Sequence, residues 1–309
     1  MTLPTDPTLI VQASAGTLAE IAEPDTEAVS RGRLVLRRFR RRKTAVVGLV
    51  GIVLLFALAY FGPYLTPWAY DEIDFEAFQQ APSAEHWFGT TQTGKDIYAL
   101  SMRGMQKSLI IGLLAAGIGT GIAAVVGAFG GFFGRFVDRI GITIGDLLLA
   151  LPAFLIIAIL SPNFRGKTWL VFVLLLGAFQ WMVSARVVRG LTLSLREREF
   201  VQAARFMGVP GWKVVFRHIL PNMSSFLIID YTIGVGAAIL GEVGLSFFGF
   251  GVQPPEVSMG TLIADGSFAV VTYPWQFYPV ALLLIAIVLC VNAIGDGLRD
   301  ALDPTSAMR

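Results

Sequence analysis

The sequence predicts an all-α polytopic membrane protein with six transmembrane helices and both termini cytoplasmic, and three observations carry that expectation. The first is composition: of 309 residues, 55% are hydrophobic and 15% charged, where a soluble domain carries about 25% charged residues. The second is the clustering of those charges. Ser108 to Gly134 and Gly266 to Gly295 contain none, and about 18 apolar residues suffice for a helix to cross the ~30 Å hydrocarbon core. The third is the distribution of Lys and Arg. Eight fall between Arg31 and Lys43, just before the first apolar run. Placing that end inside puts nineteen of the 24 basic residues inside and leaves five outside, Lys95, Arg103, Lys107, Arg165 and Lys167.

From the N-terminus, the first 30 residues hold Asp6, Glu20, Glu23, Asp25 and Glu27 and no Lys or Arg. That charge is wrong for a signal peptide, and the apolar h-region is missing, so a mobile cytosolic tail is expected, with a short docking helix as the alternative. The six spans are expected near 44–62, 107–131, 140–160, 168–189, 223–247 and 277–297. Asp146 interrupts the third, and Asp230 and Glu242 the fifth. Carboxylates inside a membrane are candidates for function, here for lining a pathway or for structural hydrogen bonding. Gly117 and Gly121, Gly127 and Gly131, and Gly141 and Gly145 form small-xxx-small pairs that let helices approach closely. Cys290 is the only cysteine and forms no disulfide within the chain.

In the first outside loop, "GTTQTGKD" (89–96) imitates a phosphate-binding loop, G-x-x-x-x-G-K-[ST]. Asp96 stands where the Mg²⁺-binding hydroxyl belongs, no strand pattern precedes the loop, and ATP is not available outside. It is read as a Gly-rich turn before a membrane-surface helix that leads into the second span.

The long inside connection reads "RGLTLSLREREFVQAARFMGVPGWKVVFRHILPN". A helix over Glu197 to Met207 puts Phe200, Ala203, Ala204 and Met207 on one face, opposite Arg198, Gln202 and Arg205. Gly208, Pro210 and Gly211 then break it. A second short helix aligns Trp212, Val215, Phe216 and Ile219, and Pro221 ends it. Periodicity alone leaves two readings: an interfacial hairpin covering the bundle, or an element docked into a soluble partner.

The same stretch resembles the EAA motif of ATP-binding-cassette (ABC) importer permeases, E-A-A-x-x-x-G followed by I-x-L-P. Ala203, Ala204, Gly208, Leu220 and Pro221 match, while Gln202 and His218 stand at the Glu and Ile positions, as in the peptide/nickel permeases, whose version ends "RHILPN". "HWFGTTQTGKDIYA", "GLSFFGFGVQPPEVSMGTLIADG" and "GDGLRDALDP" are similar to the C-type subunits of dipeptide and oligopeptide permeases, and the resemblance covers about residues 33 to 304. It implies the ABC type I importer permease fold: a tail over 1–30, a basic juxtamembrane segment over 31–43, a first transmembrane helix and outer loop over 44–106, a five-helix core over 107–304 with its coupling loop near 191–222, and a tail over 305–309. It also implies an ATPase-coupling role for Glu199, Phe200, Ala203, Ala204, Met207, Gly208, Trp212, Leu220 and Pro221. The implied partners are a homologous B-type permease subunit, cytosolic ABC ATPases in two chains or one, an extracytoplasmic peptide-binding protein and the lipid bilayer, with no nucleic acid. ATP and Mg²⁺ would belong to the ATPases, leaving this chain without cofactor, metal or catalytic residue. Peptides are the implied cargo, in the inner membrane of a bacterium, with nickel and glutathione carriers sharing the motifs. An ion-coupled carrier using Asp146, Asp230 or Glu242 is the alternative from another class. An intramembrane protease at Ser246 lacks a base, since His86 and His218 fall in loops on opposite sides.

Overall fold

The computed structural model describes residues 31–160 and 169–302. The two expected tails and the loop holding Arg165 and Lys167 lie outside those residues. Among the described residues the chain is helical, and the only β pairing is an isolated bridge between Thr90 and Asp96.

Helix α1 (Arg31–Arg41) carries the basic cluster, and Arg42, in extended conformation, separates it from α2 (Lys43–Phe61). The 19 residues of α2 are apolar all round, yet only Ala45, Gly48 and Ala59 are buried. A helix greasy on every face and bare of protein neighbours on most of them is built to face lipid. Pro63, inside the 3₁₀ turn Gly62–Leu65, ends it.

Helix α3 (Ile97–Phe133) is the central element. The Asp96 carboxylate caps it by accepting the Ala99 N–H at 2.7 Å. Here the structure corrects the sequence reading: the expected surface helix and the second span are one uninterrupted 37-residue helix, because nothing between Lys95 and Lys107 breaks α-helical geometry. The third span is a pair, α4 (Arg135–Ala150) and α5 (Ala153–Leu160), bent by 80°. Pro152 removes an N–H and pushes Leu151 into extended conformation. The fourth is α6 (Leu170–Ala178) and α7 (Trp181–Arg196), bent by 47°. Among the described residues, four helices are thus long and apolar enough to cross a membrane, or up to six if each bent pair is one span.

The long connection after α7 forms α8 (Glu199–Phe206) and α9 (Gly211–Val214), and α9 runs through a π turn (Val215–Ile219) into α10 (Leu220–Asn222). Then come α11 (Ser224–Phe247), the short α12 (Met259–Ala269), and α13 (Tyr278–Leu302). Between the expected spans at 223–247 and 277–297 the sequence predicts no helix. A capping box between Ser258 and Thr261 starts α12 there.

The largest core joins Met102, Met105 and Leu109 of α3 to Val235 and Ile239 of α11, Met259 and Ile263 of α12, and Leu284 and Ile287 of α13. On the other side of α3, Gly127 and Gly131 lie against α7, where a Cβ would stand 2.5 Å from the Ala185 carbonyl and 2.9 Å from that of Arg189. Close helix approach is what these glycines provide. Gly121 does not share it, having no neighbour within 4 Å of a Cβ.

The contacts sort the loops to two ends. Gln106 near the start of α3 donates to the Ala59 carbonyl at the end of α2, so the two helices run antiparallel. The start of α2, α1 and the end of α13 meet through Phe39, Ala45 and Ala301. The end of α3 meets α8 and α9. This basic end stands opposite residues 62–96.

Candidate functional site

At the far end, Gly89 (φ +74) and Gly94 (φ +75) turn the chain where a Cβ would strike the Gln80 and Asp74 carbonyls. The amides of the turn are consumed internally: Thr90 N–H donates to the Gln80 carbonyl, Thr91 N–H to that of Lys95, and Gly94 N–H to that of Thr91. Amides tied up this way do not converge on a phosphate. The loop instead holds the fully buried His86 between two carboxylates, Nδ1 at 2.8 Å from Asp96 and Nε2 at 3.3 Å from Asp74. The backbone N–H of Glu76 holds the Asp74 carboxyl below its ordinary range, and hydrogen bonding and charge from His86 act in the same direction against burial. The lookalike is a structural knot that caps α3.

The three intramembrane carboxylates do not converge. Asp146 on α4 is exposed and pairs with Arg186 of α7, and Asp138 pairs with Arg189 beside it, so the bent spans are tied by ions. Asp230 on α11 accepts from Thr120 of α3 at 2.8 Å and from Ser184 of α7. Glu242 is 0% exposed, which fits structural hydrogen bonding, one of the two roles expected of it, and not the lining of a pathway by this chain. It accepts from the hydroxyls of Ser108 (3.3 Å), Ser246 (2.5 Å) and Ser258 (2.6 Å). Ser108 in turn accepts the Met259 N–H at 3.0 Å. One buried carboxyl group therefore pins α12 to α3 and α11 through several hydrogen bonds.

At the basic end, α8 stops at Gly208 (φ +78). Gly208 N–H donates to the Arg205 carbonyl at 3.0 Å and Val209 N–H to that of Ala204 at 3.1 Å, the Schellman arrangement. The expected apolar face is split. Ala204, 2% exposed, turns inward with Val201 onto Val188, Val214, Val215 and Ile219. Phe200, Ala203 and Met207 turn outward, so an inward Val201–Ala204 stripe replaces the expected one. The second face divides likewise: Val215 and Ile219 are buried, Trp212 and Phe216 exposed. Leu220 is half-buried, and Glu199, Pro221 and Gln202 are exposed. Gln202 donates its amide to the Glu197 carbonyl at 3.2 Å, a bond that a carboxylate at that position could not make. The sequence reading missed Phe206, 90% exposed. With Phe200, Met207 (77% exposed) and Trp212 it makes a hydrophobic cap on a loop whose own core is filled. Large apolar groups held out this way mark an interaction surface.

The family described as binding-protein-dependent transport system inner membrane component matches residues 119–307, and the N-terminal TM domain of oligopeptide transport permease C matches residues 30–82. The oligopeptide transport system permease protein OppC of Mycobacterium tuberculosis is 52% identical over 91% of this chain and 97% of its own length. The proteins of the same name from Escherichia coli K12 (40% identical over 87% of this chain and 89% of its own length) and Bacillus subtilis (35% over 94% of each) are also similar. With its apolar helices and its loop held at one end of the bundle, the chain belongs to the family of binding-protein-dependent transport system inner membrane components, the non-catalytic, multi-pass permease subunits of bacterial ABC importers.

Proposed function

We propose that this permease carries peptides, as half of a translocation pathway completed by a homologous B-type subunit, with its basic end in the cytoplasm. An extracytoplasmic binding protein delivers the cargo, and ATPase subunits, which bind ATP and Mg²⁺, dock on the cap formed by α8 and α9. The observation that carries the coupling role is the outward set of Phe200, Phe206, Met207 and Trp212 on a loop already packed against its own bundle. The loop loses nothing internally by giving these side chains to a partner. Burying one large apolar side chain is worth about 1.5–3 kcal/mol, so a few suffice for a groove to grip. The names of the OppC relatives support peptide as cargo. Asp146, Asp230 and Glu242 are separately satisfied, and no observation favours an ion-coupled carrier.

The test is purification of the intact complex and measurement of ATP hydrolysis with and without peptide. Peptide should stimulate it, and Phe206→Asp should release the ATPase subunits while the permease pair stays together. Stimulation by nickel or glutathione instead would overturn the cargo assignment. Transport that survives ATP depletion and collapses with an uncoupler would overturn the coupling.

A further inference from the structure

Between the end of α2 and the first turns of α3 lies a cleft of about 390 Å³, lined by Pro63, Thr66, Trp68, Tyr70, Arg103 and Gln106 among others. Its guanidinium is poorly satisfied. Arg103 Nε is buried without an acceptor, Nη1 reaches Gln106 at 3.4 Å, and Nη2 reaches Glu256 at 3.5 Å. Glu256 lies closer to another cation, Lys107 Nζ at 3.0 Å. Two cations therefore share one carboxylate, leaving one positive charge. The face of Tyr70 lies 5.0 Å from the Arg103 guanidinium carbon and holds it in place. The Trp68 indole N–H is a second buried donor without an acceptor. Buried donors are almost always paired, so two orphans on one cleft point to a missing acceptor.

Depth in the membrane says what supplies it. Helix α2 begins at its basic flank and is 19 residues long, about 28 Å at 1.5 Å per residue, nearly the full hydrocarbon thickness. Residues 62–70 therefore emerge at headgroup level, where Trp and Tyr sit by preference. Phe61, Tyr64 and Leu65 beside the cleft, and Val50, Val53 and Leu54 along α2, are exposed large apolar residues. An apolar wall below a cationic, donor-lined cleft fits a molecule with acyl chains and an anionic head.

We infer that the cleft is a binding site for an anionic phospholipid, with the phosphodiester on Arg103 and the chains along α2. Neither peptide transport nor ATPase docking is needed for this site, so its failure and theirs are separable.

The test uses the full transporter complex, stripped of loosely held lipid, then exchanged against vesicles of phosphatidylglycerol or of phosphatidylcholine and weighed by native mass spectrometry. Wild type should retain phosphatidylglycerol in preference to phosphatidylcholine. Arg103→Gln should reduce retention about tenfold, as expected for losing one charge-assisted contact, while Arg103→Lys should stay within about threefold. Complex assembly and unfolding temperature serve as the folding control, and Trp68→Phe, which keeps a ring stacked on His86 as the Trp68 ring is at 4.8 Å between centroids, should weaken retention less than Arg103→Gln. Equal retention by wild type and Arg103→Gln would overturn the assignment, as would equal retention of the two lipids. Inorganic phosphate should displace nothing; displacement by it would show that the chains contribute no binding. Release of the lipid by a peptide with a free C-terminus, but not by the same peptide amidated, would give the cleft to cargo.

Discussion

Replacing Gly208 isolates the geometry of the coupling loop more cleanly than any change to its contacts. The residue sits at φ +78, and a Cβ there would meet nothing within 4 Å. A substitution therefore costs backbone strain and no steric clash. Alanine in the left-handed region costs about 1 kcal/mol, a β-branched residue about 2, and asparagine well below 1. Those energies shift the balance between turned and unturned loop by about fivefold for Ala and about thirtyfold for Val. The shift should read directly as faster hydrogen exchange in the Trp212–Ile219 stretch of the assembled transporter, in the order Gly, Asn, Ala, Val. ATPase co-purification should follow the same order, falling once the unturned population becomes sizeable. If Val exchanges like the wild type, or Asn is no milder than Ala, the left-handed turn does not hold α9 in place and the reasoning fails.

Four further expectations follow. Ala204→Trp should lower the unfolding temperature of the permease itself, because Ala204 lies in the loop's own core and overpacking typically costs 1–3 kcal/mol; Ala203→Trp should leave that temperature unchanged and abolish ATPase co-purification. In a Cys290→Ser background, cysteine at the exposed Ala84 should react with an impermeant reagent added to intact cells and cysteine at Ser194 should not; the reverse pattern would invert the topology. Glu242→Gln should destabilise the fold by about 1–3 kcal/mol, because an amide group replaces an acceptor that faces only donors; an unchanged thermal melt would mean the serines do not depend on the carboxylate. Because the Asp74 carboxyl is held below its ordinary range, its contribution to the 62–96 loop should be fully present above the unfolded carboxylate pKa of about 3.9 and lost as pH falls through the lower folded value; Asp74→Asn should weaken the pH dependence of proteolysis of that loop across this window, and an unchanged dependence would remove Asp74 from the account.

What the sequence made legible was set by periodicity and length. The fifth span, expected at 223–247, is Ser224–Phe247, because a long apolar run has only one stable answer in lipid. Breaks were harder to read. Pro152 was visible inside the expected third span, yet hydropathy averages over a kink, and only packing against neighbours decides whether a span bends by 80°. The rotation of α8 has a similar cause. Val201 and Phe200 are both apolar and adjacent, so a wide apolar surface covers more than one stripe. The choice between them was made by Val214 and Val215, which reach α8 only after the Gly208 turn. The Glu242 cluster was out of reach in principle, since Ser108 is 134 residues away and an isolated serine carries no pattern.

The unbroken course of α3 has a mechanical consequence. One rod runs from the Asp96 knot to Phe129 and Phe133, where Phe129 meets Phe216 next to the α9 turn. It has no proline along 37 residues of continuous helix, about 55 Å, and so lacks the joint that Pro152 makes in the third span. A tilt of about 5° imposed at one end would swing the other by about 5 Å, roughly one helical turn. The two faces of the membrane are thus joined by a lever whose stiffness comes from hydrogen-bonded backbone, and whatever moves the loop at the basic end must also move the cap around His86.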